Sequence, residues 1–298
     1  MTTEILKLPV EIKVNEPLSK YTFTKTGGPA DFLAFPKNDA ELKLLINYAL
    51  DKMPITTLGN SSNLIIKDGG IRGLVIMLTK FMVIKVQNNQ IIAQAGASLI
   101  DVTKAASKAQ LTGLEFAAGI PGSVGGAAFM NAGAYGGEVA EVITAITEIL
   151  PDGREVTLRG SDLHFAYRHS VVQENQGIVT AVTFTLQPGK QPDIQNKMDE
   201  LNALRASKQP LEYPSCGSVF KRPAGYFTGP LIIKAGLQGK IIGGAQVSMK
   251  HAGFIINLGT ATATDYLTLI QLIQKTVQQK FNVKLETEVR IIGEDRSK

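Results

Sequence analysis

The chain has 298 residues, 44% hydrophobic and 19% charged, with a net charge of +5 and a sequence pI near 9.1. That is the composition of an ordinary globular chain, long enough for a sizeable core and for one or two domains. No apolar run approaches the ~18 residues of a membrane span, and one cysteine, Cys216, excludes an internal disulfide.

The opening residues MTTEILKLPVEIKVNE carry charges throughout and hold no apolar signal region, so a cytoplasmic protein is expected. His164, His169 and His251 form no ligand pattern, so no protein-built metal site is expected. The basic excess is spread along the chain rather than gathered in a run, and no nucleic-acid motif accompanies it. A small polyanionic ligand needs only a few converging cations, and most of the excess reads as solvated surface.

In chain order, residues 38–50 predict an amphipathic helix, with Asn38 as N-cap and Glu41 at the capping-box position. Residues 54–78 alternate apolar strands with turn residues. Residues 83–98 predict a hairpin with Asn88 and Asn89 at its tip. Residues 98–113 predict a helix capped by Ser98 and ended near Gly113. Strands follow at 141–150 and 177–187, the first ended by the turn residues Pro151, Asp152, Gly153 and Arg154.

The polar, proline- and glycine-marked segment 187–195 reads as a domain boundary. It divides a domain over 1–190, itself two α+β parts of about 1–80 and 81–190, from one over 191–298. Past it come helices at 193–210, stopped by Pro210, and at 228–236, ended by Gly236. A strand is expected at 251–259. The helix at 264–281 has an apolar stripe of Leu267, Ile270, Ile273 and Val277, and a strand closes the chain at 283–292. The fold class is α+β, without regular βα alternation.

Glycine is the costliest residue to order, yet seven glycines lie between 119 and 137. Backbone N–H groups can hold a phosphate where side chains do not intrude. Two bare loops fit such a cradle. One supplies Gly59, Asn60, Ser61, Ser62, Asn63 and Leu64; the other supplies Gly119, Pro121, Gly122, Ser123, Gly125 and Gly126, followed by Asn131 and Gly133. No Gly-Lys-Ser/Thr follows, which excludes a P-loop, and no βαβ fingerprint with a downstream acid marks a dinucleotide site of the Rossmann kind. Turn glycines are the plainer reading. Two bare loops together favour an extended phosphate-bearing cofactor.

Seven segments then occur in order: KYTFTKTGGPADFLAFP (20–36), LGNSSNLIIKDGGIRGLVI (58–76), GLEFAAGIPGSVGGAAFMNAGAYGGE (113–138), FAYRHS (165–170), CGSVFKRP (216–223), GGAQVSMKHAGFIIN (243–257) and LETEVRIIG (285–293). Together they resemble the UDP-N-acetylenolpyruvoylglucosamine reductase family over nearly the whole chain. The short spacing between FAYRHS and CGSVFKRP resembles the shorter, type II form. The resemblance implies an FAD-binding domain of the vanillyl-alcohol-oxidase (PCMH) type followed by a substrate domain, whose last strand, 283–293, returns to the active site. It implies non-covalent FAD reduced by NADPH. It also implies reduction of UDP-N-acetylglucosamine enolpyruvate to UDP-N-acetylmuramate for peptidoglycan precursors, by a cytoplasmic monomer that binds neither nucleic acid nor membrane.

By the same resemblance, Ser218 is the proton donor, Arg168 contacts the enolpyruvyl carboxylate and enolate, and Glu288 faces the developing charge. An Arg fork suits a planar carboxylate. A carboxyl beside an enolate helps only when protonated or hydrogen-bonded. Lys221 and Arg222 are diphosphate candidates, with Tyr167, Lys250, His251 and Asn257 as further substrate-binding candidates. Cys216 reads as a small buried apolar residue. The chain departs from the family pattern at Arg222, where asparagine is usual, at Lys25 (arginine), at Ser61 (a second glycine) and at Ile233 (an acid). Two competitors remain on the residues alone: another FAD oxidoreductase of this type with a different substrate, and a non-catalytic nucleotide- or nucleic-acid-binding protein.

Overall fold

The computed structural model describes residues 2–296. The chain forms two compact units, each assembled from three segments. The first contains Met1–Val14, Phe32–Asn60 and Gly73–Arg205; the second contains Asn15–Asp31, Ser61–Arg72 and Ala206–Lys298. The units interleave along the chain, so no single cut separates them. A cut near 190 leaves two early segments, 15–31 and 61–72, in the unit that holds most of the C-terminal residues. The physical reason is strand pairing: Leu64–Ile66 runs parallel to Arg290–Ile292, with Leu64 opposite Arg290 and Ile66 opposite Ile292.

The centre of the first unit is a five-stranded antiparallel sheet in the order Glu155–Arg159, Ile143–Ile149, Ile178–Thr185, Gln90–Gln94, Ile84–Gln87. Its strands alternate in burial, as at Ile178–Thr185, whose inward Val182 and Phe184 are fully buried. Helices Asp39–Ala49 and Leu99–Lys108 bury their apolar faces in the same core through Leu42, Leu45, Leu99 and Val102. The hairpin turns at Asn88 and Asn89, where Asn88 is left-handed (φ 54°) and Gln87 pairs with Gln90. The Pro151–Arg154 turn closes the next pair, with Ile149 opposite Glu155.

The second unit holds a four-stranded sheet in the order Ser215–Ser218, Phe254–Asn257, Ala245–Val247, Ile241–Ile242. The long helix Ala263–Phe281 belongs to its core. That helix begins with a capping box: Thr262 Oγ accepts from Asp265 N while Asp265 accepts from Thr262 N. Asp68 adds a second cap, accepting from Ala263 N and Thr264 N at 2.9 Å each.

Several local expectations shift. The Leu99–Lys108 helix stops well before Gly113 because Gln110 turns left-handed (φ 57°), and Leu111–Thr112 pairs with Gln187–Pro188 instead. Asn38 caps its helix as expected (Glu41 N to Oδ1, 2.9 Å), but the Glu41 side chain accepts from Lys37 N, one residue upstream of the capping-box partner. In the last helix the buried face is Tyr266, Leu269, Ile270, Ile273 and Val277; Leu267 is only partly buried. The closing strand is confined to Arg290–Ile292, because residues 286–289 bond to the backbone of Val219 and Lys221. Among the described residues, no helix is long and apolar enough to cross a membrane.

Candidate active site

Within the first unit the two bare segments meet. Asn60 Nδ2 donates to the carbonyl of Pro121 at 2.9 Å, and the Cα of Gly59 lies so close to Ser123 that a side chain there would collide with its hydroxyl. Ser123 caps the short helix Val124–Met130, its Oγ accepting from Gly126 N at 3.3 Å. The backbone of 122–124 lies beside that of 97–99: Leu99 N bonds Gly122 O at 3.0 Å and Val124 N bonds Ala97 O at 2.9 Å. Ser123 occupies the non-bonded position of this pair, so its N–H points away from Ser98.

The glycines of this stretch are bare for different reasons. Gly125 gives its N–H to Ala95 O (2.8 Å), and a Cβ on it would lie 2.9 Å from Ala95 Cβ. A Cβ on Gly119 would lie 2.7 Å from Arg205 Nε, and one on Gly137 2.7 Å from the Phe116 ring. Gly136 is left-handed (φ 89°) with open space around it. The first-turn N–H groups of Val124, Gly125 and Gly126 are therefore already spent on protein acceptors. Among the described residues, the N–H groups of Asn60, Gly119, Gly122 and Ser123 have no protein acceptor. These four donors lie on segments tied together by the Asn60–Pro121 bond. They fit an anion better than the helix end itself does. FAD, with its pyrophosphate, fits this donor set. Asn131, expected among the cofactor residues, is fully buried, and its side chain bonds Ala166 O and Ala140 N, both at 3.0 Å. A cation that sequence reading missed, Arg205, stands beside Gly119 with its guanidinium 5.6 Å over the Tyr135 ring, and burial pulls its pKa below the ordinary value.

Arg168, also in the first unit, lies at the tip of a tight turn. Ala166 and His169 exchange backbone bonds of 3.2 and 3.0 Å across it. The Arg168 guanidinium lies 5.0 Å from the Tyr167 ring centroid and donates to the carbonyls of Asn131 and Gly133 at 3.4 Å. Glu174 bridges His164 Nδ1 (2.9 Å) and His169 Nε2 (2.7 Å), and these two contacts hold its carboxyl below the usual range. Tyr167 is more than half exposed.

In the second unit, Ser218 and Glu288 are brought together in backbone register. Glu288 N donates to Val219 O at 2.8 Å, Lys221 N to Glu286 O at 2.9 Å, and Phe220 pairs with Thr287. Gly217 (φ 74°) interrupts the pairing of Ser215–Ser218 with Phe254–Asn257. Such a bulge re-aims the residue beside it, and Ser218 emerges exposed between buried Cys216 and Val219. Asn63 Nδ2 donates to Glu288 O (3.2 Å), and Arg290 N to Asn63 O (3.1 Å), so Asn63 braces the backbone that carries Glu288. Ser61, standing where glycine is usual in the family, is left-handed (φ 51°) and buried.

The remaining candidates are engaged by protein groups to different degrees. Lys221 pairs loosely with Glu286 (3.7 Å), and the Arg222 guanidinium stacks 3.9 Å over the Phe227 ring. Lys250 Nζ donates to Ala206 O at 2.8 Å. His251 Nδ1 accepts from Gly253 N at 3.1 Å, its ring packs edge-on against Phe254, and burial lowers its pKa. Asn257 is buried and donates to Thr24 O (2.9 Å). Cys216 is buried and its thiol is pushed up to about 12, so it is no nucleophile.

Comparison with known proteins places the chain as a whole. An "FAD binding domain" family model matches residues 30–159, and "UDP-N-acetylenolpyruvoylglucosamine reductase, C-terminal domain" matches residues 209–292. The UDP-N-acetylenolpyruvoylglucosamine reductase of Lactiplantibacillus plantarum is 61% identical over 99% of both chains. That of Lactobacillus delbrueckii subsp. bulgaricus is 62% identical over 96% of this chain and 97% of the relative. The crystal structure of the Thermus caldophilus enzyme superposes with a TM-score of 0.81 at 35% identity, covering 95% of this chain and 98% of that one. With an FAD-binding domain, the family's own C-terminal domain and near-identical length, the chain belongs to the UDP-N-acetylenolpyruvoylglucosamine reductase family of oxidoreductases.

Proposed function

We propose that this chain reduces the enolpyruvyl ether of UDP-N-acetylglucosamine enolpyruvate to the lactyl ether of UDP-N-acetylmuramate, with NADPH as reductant, in cytoplasmic peptidoglycan precursor synthesis. FAD, when bound, would supply the hydride chemistry that links NADPH to the vinylic CH2 carbon of the substrate. The protein's own groups manage the charge and the proton. Asn60, Gly119, Gly122 and Ser123 hold the cofactor's pyrophosphate through backbone N–H groups. The Arg168 fork takes the substrate carboxylate and stabilises the enolate that hydride addition creates. Ser218 Oγ gives its proton to the carbon bearing the carboxylate, completing the addition of H– and H+ across the double bond. Glu288 faces the developing charge. Lys221 and Arg222 are the diphosphate cations of a monomer whose substrate domain takes in residues 206–298 rather than the whole of 191–298.

The observation that carries this reading is the Gly217 bulge, which exposes Ser218 on the segment hydrogen-bonded to the Glu288 backbone. A different substrate on the same FAD scaffold is the second reading, and the 209–292 match weighs against it. The test is an anaerobic two-step absorbance measurement. The flavin band near ~450 nm should bleach with NADPH and return on adding the enolpyruvyl substrate without oxygen. Bleaching without return would defeat the substrate; a protein that binds no FAD would defeat the whole assignment.

A further inference from the structure

We propose that Asn131 and Gln173 are positioning residues for Arg168, holding the strained turn that presents its guanidinium. The inference rests on the role given above to Arg168. All of its contacts lie within the first unit.

The turn has two central residues, Tyr167 and Arg168, closed by the paired backbone bonds of Ala166 and His169. Arg168 is left-handed (φ 59°). Glycine or asparagine is favoured at such a turn position. For an arginine the conformation costs about 1–2 kcal/mol, and such strain persists only where the surroundings over-determine it.

Here they do. The Gln173 amide donates twice, to Arg168 O at 3.0 Å and to Phe129 O at 2.7 Å. It joins the strained peptide to the last turn of helix Val124–Met130. Ser170 Oγ reaches the same Phe129 carbonyl at 3.1 Å. Asn131 is itself left-handed (φ 43°), which asparagine tolerates, and ends the helix. Its Nδ2 holds Ala166 O at the base of the turn while its Oδ1 is held by Ala140 N. Its carbonyl then accepts from Arg168 Nη1. An amide with no exposed surface, occupied on both sides by protein backbone, positions a neighbour rather than binding a ligand. The C-terminal end of helix Val124–Met130 therefore braces the arginine, while the loop before that helix supplies anion donors.

The experiment uses FAD-loaded enzyme and the two half-reactions under anaerobic conditions. Gln173→Met keeps the side-chain length and removes both donors at a partly exposed site. Reduction by NADPH should stay within about 2-fold of wild type, while reoxidation by the enolpyruvyl substrate slows about 10-fold or more, because a misplaced binding group costs mainly the step it serves. In an Arg168→Ala background the same substitution should change reoxidation by less than about 2-fold, because the residue it positions is gone. Asn131→Asp, nearly isosteric, should show the same pattern. Equal loss in both half-reactions, no loss in either, or full additivity with Arg168→Ala would overturn the proposal and leave a structural loop. A wild-type enzyme that reduces but is not reoxidised would instead overturn the substrate reading, and the positioning role with it.

Discussion

Gly125 and Gly126 are adjacent in one short helix, yet only Gly125 is packed too closely against the protein to carry a side chain. A Cβ on Gly125 would lie 2.9 Å from Ala95 Cβ and 3.3 Å from Ala95 O. Carbon atoms settle at about 3.5–4.0 Å, so Gly125→Ala must push the helix start off residues 95–97 by several tenths of an ångström. The bonds Gly125 N to Ala95 O and Val124 N to Ala97 O stand in the way of that movement. Overpacking of this kind costs about 1–3 kcal/mol. Gly126 is exposed, and its Cβ would meet only Ser123 Oγ, at 3.2 Å. Neither glycine is left-handed, so both variants share the same gain in helix propensity and the same unfolded-state term, and these cancel in the comparison. FAD-free Gly125→Ala should therefore melt below FAD-free Gly126→Ala by roughly 2–4 °C per kcal/mol, or about 2–12 °C. Beyond Ser123 Oγ, a Cβ on exposed Gly126 could be crowded only by a cofactor lying against it, so Gly126→Ala should lose FAD affinity rather than stability. Thermal unfolding of stripped protein and FAD titration separate the two effects. Equal melting of the stripped variants, with FAD affinity lost only in Gly125→Ala, would refute the packing argument.

Ser218→Ala should leave flavin reduction by NADPH near normal and slow reoxidation by substrate by about two orders of magnitude or more, in keeping with general-acid catalysis; equal losses in stopped-flow measurements of both steps would remove its role as proton donor. Asp68→Ala deprives Ala263 N, Thr264 N and Thr264 Oγ1 of their acceptor and should cost about 1–2 kcal/mol in urea unfolding; a loss within error would mean the Thr262 box suffices alone. Glu148 is fully buried, one carboxyl oxygen has no partner among the described residues, and burial raises its pKa from 4.5 against the opposing Asn175 bond. The folded protein thus holds this proton more tightly than the unfolded chain, and stability is lost as pH rises from 4.5 through the folded value. Glu148→Gln should gain on wild type across that window and stay ahead at pH above it; a difference independent of pH in parallel denaturations would contradict the linkage.

Much of the local structure was legible in the residues. The caps at Asn38 and Ser98, the Asn88 turn, the Pro151–Arg154 turn and the 3.6-residue stripe through Ile270, Ile273 and Val277 are written in neighbours a few positions apart. The ordered motifs carried the family, and with it the roles proposed for Ser218, Arg168 and Glu288. Two bracing residues, Gln173 behind Arg168 and Asp68 at the start of helix Ala263–Phe281, were not legible. Gln173 follows the YRHS motif and Asp68 lies within IIKDGG, but neither carries a local pattern that announces a partner. Asn131 read as one more polar group of a cofactor loop until its side chain was seen closed on Ala166 and Ala140. Turn chemistry and periodicity act over one or two turns of chain, so sequence determined the elements and their punctuation. Which strand Leu64–Ile66 pairs with, where the Leu99–Lys108 helix yields to a strand, and which glycine is bare for packing depend on groups far away in sequence, and only the folded chain brings those together.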